Sequence, residues 1–131
     1  MYLDAILYTY LNAQSDLTTL LDTYSDSSAA IFPDVQIPKD FTGTESVNFY
    51  NNQPVSGQDK IYIEYFAVNC RGANQVTSQA IAKKVHELLN RININSQSYC
   101  LTDILPTIQP ENETDVFNTP VSLKFINKYG G

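Results

Sequence analysis

The sequence predicts an α+β fold: a single domain, one mostly antiparallel sheet with an N-terminal helix pair and a long amphipathic helix packed on it. Three observations lead there. Apolar residues recur on a 3.6-residue period at the start of the chain and again between about 74 and 92. Runs with period-2 alternation, or rich in β-branched and aromatic residues, occupy the stretches between and after. The resulting order is α, short β, β, long β, long α, β, β, which segregates helices from strands rather than alternating them. A chain of 131 residues fits one domain spanning 1–131, large enough for a core without covalent staples.

Leu3, Ile6, Leu7, Tyr10 and Leu11 form one helical stripe. After a polar break at Asn12 to Ser15 the spacing restarts at Leu17, Leu20, Leu21 and Tyr24, with Ser15 or Asp16 as N-cap. The Ser- and Asp-rich stretch from Asp22 to Ala30 ends this unit. Ile31-Phe32 and Val47 to Tyr50 read as short strands, joined by a loop holding Pro33, Pro38 and Gly43. Asn51 to Asp59, with Pro54 and Gly57, reads as an extended hairpin connection.

Ile61 to Arg71 is the strongest strand. Its two faces, Ile61, Ile63, Tyr65, Ala67 and Tyr62, Phe66, Val68, Cys70, are both apolar, which predicts a central strand covered on both sides. Glu64 is the exception, reaching the rim or meeting a partner. A helix follows over about Asn74 to Ile92, with Val76, Ala80, Ile81, Val85, Leu88, Leu89 and Ile92 inward and Gln75, Gln79, Lys83, His86, Glu87 and Asn90 outward. A strand from Ser98 to about Ile108 is weakened near its end by Pro106. A polar loop, Gln109 to Asp115, leads to a last strand in which Val121, Leu123, Phe125 and Tyr129 alternate with Ser122, Lys124 and Lys128.

Composition excludes several classes of function. With 8 basic against 14 acidic residues and a net charge of −6, the chain lacks the cationic reservoir that nucleic-acid binding draws on. No apolar run approaches the length of a membrane span. The N-terminal Met1-Tyr2-Leu3-Asp4 lacks the basic region of a signal peptide, so folding in a reducing cytosol is expected. Cys70 and Cys100 then read as buried free thiols, and His86, the only histidine, as a solvated side chain. Two cysteines and one histidine do not make a zinc site. There is no phosphate loop, no nucleophile elbow and no histidine pair, so neither catalytic residues nor a cofactor or metal are expected. Asp34 with Asp40, and Glu111 with Glu113, read as solvated loop charges.

What the chain does have is long loops, and loops of this length in a compact domain are usually functional. One pattern runs from the opening helix pair through Ile31-Phe32-Pro33-Asp34 and a Pro-containing loop. It continues with Lys60-Ile61-Tyr62-Ile63-Glu64-Tyr65-Phe66-Ala67 and with Gln79 to Leu89. This pattern, over about Leu3 to Leu89, resembles the tail-completion, or tail terminator, proteins of long-tailed bacteriophages. Where that family commonly has a second proline before the next strand, this chain has Thr44-Glu45-Ser46.

The resemblance implies a non-enzymatic virion protein assembled in the host cytoplasm. It would form a ring, usually of six copies, that caps the tail tube and joins the head-side connector. The genome would cross its lumen without specific binding, and an acidic lumen would suit that passage. In such a ring the loops Asp34–Ser46 and Asn51–Asp59 would touch neighbours, with Asp34, Lys39, Phe41, Val55, Gln58 and Asp59 as candidate contacts. Phe41 and Val55 would be the docking residues. Two other readings remain: a head-side neck adaptor or stopper, and, in another class, a monomeric small-ligand binder or metal-independent enzyme.

Overall fold

Two twelve-residue strands form the spine of the fold, hydrogen-bonded to each other along their whole length. They are seen in a computed structural model, which describes residues 3–24, 28–54, 56–58, 61–96, 98–109 and 116–128. In chain order the elements are α1 (Leu3–Asn12), α2 (Ser15–Thr18), β1 (Thr23–Tyr24), β2 (Ser28–Ala29), β3 (Ile31–Phe32), β4 (Ser46–Asn51), β5 (Ser56–Gln58), β6 (Ile61–Gly72), α3 (Gln75–Leu89), β7 (Ile92–Asn93), β8 (Ser98–Ile104) and β9 (Phe117–Lys128). Among the described residues the main sheet has seven strands, in the order β3-β4-β6-β9-β8-β7, with β5 also paired to β6. Only the β3–β4 pair is parallel. The β1–β2 ribbon stands apart. The fold is α+β, as the segregated order predicts.

The spine pairs Ile61 with Lys128 at one end and Gly72 with Phe117 at the other. Alternation puts Phe66, Val68 and Cys70 of β6 and Val121, Leu123 and Phe125 of β9 on one face, all buried. Onto this face α3 lays Ile81, Ala82, Val85 and Leu89, and α1 contributes Leu3, Leu7 and Leu11 to the same core. Phe66 meets Phe125 edge-on at 5.7 Å between ring centroids. Asn74 caps α3 by accepting the backbone N–H of Thr77 at 2.8 Å. The Tyr10 hydroxyl donates to the Leu88 carbonyl at 2.6 Å and ties α1 to the far end of α3.

Several expectations are corrected by tertiary pairing. The second helix is one turn, Ser15–Thr18, with Gln14 as an N-cap whose side chain makes no capping bond and donates instead to the Tyr10 carbonyl at 3.1 Å. Its predicted extension to Tyr24 is lost because β-branched Thr18-Thr19 disfavours helix and Thr23–Tyr24 finds a strand partner at Ser28–Ala29. Asp22 then accepts from the N–H groups of Thr44 and Glu45, at 2.6 and 3.0 Å. Asn51–Asp59 is not simply a connection, since β5 lies within it. On α3, Val76 is 77% exposed and Ala80 is exposed as well, while Ser78 and Ala82 join Ile81, Val85 and Leu89 as buried residues. Ile92 sits on β7, not in the helix.

Strand β6 is central but buried on one face only: Ile61 is 49% exposed, and Ile63, Tyr65 and Ala67 are half-buried. Apolar character on both faces reported apolar residues, not two covering layers. Strand β8 stops at Ile104, and Ile108 makes only an isolated bridge to Asn118. Strand β9 starts earlier than its alternation suggests and includes Pro120. Pro120 is tolerated there because its carbonyl, accepting from Leu105 N at 2.8 Å, faces the flank where β8 has ended. Tyr129 and most of Gln109–Asp115 lie outside the described residues.

Candidate functional site

On the other side of β6 from β9 runs an arm of the sheet made of β4 and then β5. β4 pairs with β6 from Ser46↔Arg71 to Asn51↔Phe66, and β5 resumes the pairing from Ser56↔Ile63 to Gln58↔Ile61. Between Asn52, whose N–H still donates to Tyr65, and Ser56, the arm has three residues where β6 has only Glu64. The two extra residues bulge the arm, and the backbone pairing then resumes in the same parity. Pro54, lacking an N–H, fits in that bulge, and the Asn51 side chain accepts the Gln53 N–H at 3.2 Å. At Gly57 a Cβ would meet the Ile61 carbonyl oxygen and lie 2.5 Å from Tyr62 Cα, so glycine lets the two strands approach.

The loop after β3 wraps the sheet edge. The Asn48 side chain donates to the carbonyls of Asp34 and Val35, at 3.1 and 3.3 Å, which holds the loop against β4. Further on, Phe41 packs edge-on against Phe32 at 5.3 Å and Tyr24 at 6.1 Å. The Tyr24 hydroxyl donates to Asp40 at 2.9 Å, and that bond holds the phenol pKa above its ordinary value. A Cβ at Gly43 would collide with Asp22 and Phe41, so the loop closes tightly on itself.

Where this loop meets α1 there is an open hollow of about 320 Å³ lined by Leu3, Asp4, Asp34, Phe49, Glu64 and Phe66, among others. Glu64 lies at its floor, 8% exposed, and accepts from the Asn127 side chain at 3.3 Å. Asn127 in turn accepts from the Ser98 hydroxyl at 2.5 Å, so a buried polar chain crosses β6, β9 and β8. Burial pushes the Glu64 carboxyl above its ordinary range; the N-terminal positive charge opposes the shift and the Asp4 charge adds to it. No histidine, cysteine, serine or cation lines the hollow. The titratable side chains described at the hollow are thus three carboxylates and the Tyr50 phenol.

The histidine and the two cysteines are used structurally. His86 is half-buried, not solvated: its Nδ1 is hydrogen-bonded to the Thr102 hydroxyl, while the Thr102 N–H donates to Asn90 Oδ1 at 3.0 Å. Cys70 and Cys100 are free and buried, and burial raises both thiols, Cys100 to about 12. They stand opposite Thr119 and Phe125 of β9, roughly 20 Å apart along the strand at the usual rise. No disulfide can join them. Among the described residues no group of His, Cys, Asp and Glu is placed to hold a metal, and no helix is long and apolar enough to cross a membrane.

The predicted contact residues fall in three places. Asp34 and Lys39 are exposed on the loop, and Phe41 is half-buried in its aromatic cluster. Gln58 pairs through its backbone with Ile61 on the arm. Val55 and Asp59 lie outside the described residues. The sheet face opposite the helices carries a surface that sequence reasoning missed. On it, Ile63 aligns with Ile126 and Tyr99, and Tyr65 aligns with Lys124 and Leu101. The apolar odd-numbered face of β6 was its only signal.

The sequence matches no protein-family model and no curated protein. Its fold is similar to that of a chain in the solved structure described as "Virion of native gene transfer agent (GTA) particle". The TM-score is 0.70 at 14% identity, over 96% of this chain and 94% of that one. The likeness is one of fold, and it spans nearly the full length of both chains.

Proposed function

We propose that this chain is a non-enzymatic structural protein of a phage-like virion, forming a ring at the head-proximal end of the tail that ends tube growth and joins tail to head. The observation that carries this reading is the end-to-end likeness of fold to a chain of a phage-like particle. The site chemistry supports it. The hollow has no histidine, cysteine or serine among its described lining residues, the thiols are buried, and the lone histidine fastens a helix to a strand. The β4–β5 sheet edge and the loop after β3 suit contact with neighbouring subunits rather than turnover. The partners in this reading are other copies of the chain, the tube protein and a head-side connector, with the genome passing through unbound.

The test is assembly. Native mass spectrometry of the purified chain should show a closed oligomer, and negative-stain microscopy with its cognate tube protein should place it at one tube end. Attachment to heads alone would shift the assignment to a neck adaptor. A strict monomer that ignores both tubes and heads would refute the reading.

A further inference from the structure

The described charges are unevenly placed. On the open sheet face, Lys124 and Lys128 of β9 stand beside Tyr65 and Ile61, and among the described residues neither lysine has an ion-pair or hydrogen-bond partner. Asp103 at the rim is the one carboxylate of the β6, β8 and β9 residues on this face. The sheet edge at the hollow is the reverse. Asp4 and Asp34 are exposed there above the buried Glu64, and no lysine or arginine lines the hollow. A chain of net charge −6 thus keeps an apolar face on which Lys124 and Lys128 outnumber the single described carboxylate of β6, β8 and β9, Asp103, and a separate carboxylate-bearing edge with no lysine or arginine among its described lining residues.

We infer that the open face of β6, β9 and β8 is the seat for a second copy of this chain, which brings its Asp4–Asp34 edge onto Lys124 and Lys128. This rests on the self-assembly proposed above and names the two surfaces that would meet. The surfaces differ, so the contact is heterologous; each copy keeps one of each free for the next, and the series closes into a ring when the rotation permits. The apolar residues between the lysines supply the buried area, and the charges set the register and exclude the reversed docking. Exposed charge pairs are screened, so assembly weakens as salt rises.

The test is a charge exchange. Lys124→Glu with Lys128→Glu, and separately Asp4→Lys with Asp34→Lys, should each raise the concentration for half-assembly about tenfold or more. Thermal melting of each variant as a monomer confirms that it still folds. An equimolar mixture of the two variants should reassemble, because each supplies the surface its partner now needs. Near-normal assembly of either variant alone, no recovery on mixing, or a wild-type chain monomeric at every concentration would overturn the inference. So would loss of tube binding in the lysine variant while self-assembly persists, since that assigns the face to the tube protein. A failed exchange with tube capping intact would refute this interface but leave the proposed function standing.

Discussion

Replacing His86 by alanine tests whether the lone histidine is a strut or a reagent. Its Nδ1 bonds the hydroxyl of Thr102, a residue 8% exposed on the helix-facing side of β8. Losing a net hydrogen bond costs about 0.5–1.5 kcal/mol. The half-buried histidine site admits water, so the stranded hydroxyl is rehydrated rather than left bare, while alanine returns a few tenths of a kcal/mol in helix propensity. The net loss is then about 1 kcal/mol. At about 2.1 cal/mol/K per residue, unfolding 131 residues releases roughly 275 cal/mol/K, so the melting temperature should fall by about 3–4 °C. Thr102→Val removes the other partner, and the double variant should show coupling of about 1 kcal/mol in a urea-unfolding cycle. Additive effects would refute the strut. Lost assembly or activity with folding intact would make His86 a functional group and reopen the enzyme reading.

Other perturbations have equally definite outcomes. Val85→Asp puts an unpaired carboxylate at a fully buried position of α3 and should cost at least about 4 kcal/mol, leaving the protein insoluble or unfolded by circular dichroism. Glu64→Gln keeps an acceptor for Asn127 and removes a carboxyl whose folded pKa is raised; the wild type therefore loses stability as pH climbs from the unfolded to the folded value. The variant should match wild type below that window and exceed it at neutral pH; a variant less stable at pH 7 would refute the assignment. Gly57→Val should strip hydrogen-exchange protection from 56–58 and 61–63 while the amides of α3 stay protected, because its side chain strikes the Ile61–Tyr62 backbone.

Long-period patterns were legible from the sequence; partners were not. The α3 stripe and the β9 alternation predict Val85, Leu89, Leu123 and Phe125 as core, and all four are buried. What failed depends on tertiary neighbours. Val76 is apolar but reaches past the sheet, whereas Ser78 is polar yet buried, because its hydroxyl donates to the Cys70 carbonyl at 2.8 Å. β5, with serine, glycine and glutamine, has no intrinsic claim to be a strand and becomes one only because β6 extends beyond β4. The loop contacts are the least legible part, since Phe41 has an internal use that its spacing does not reveal.

The bulge beside Glu64 carries a rule about how such an arm can change over evolutionary time. Since its surplus is two residues, the backbone of Ser56–Gln58 rejoins β6 in the same pairing parity that β4 leaves. Insertions or deletions there should be tolerated in even steps, because an odd step would turn the whole tip inside out. If an added pair extends the tip instead of enlarging the bulge, each strand gains one residue and reach grows by roughly 3.4 Å. Arm length is thus a stepped variable, free to track the spacing of whatever the tip touches while the core stays as it is.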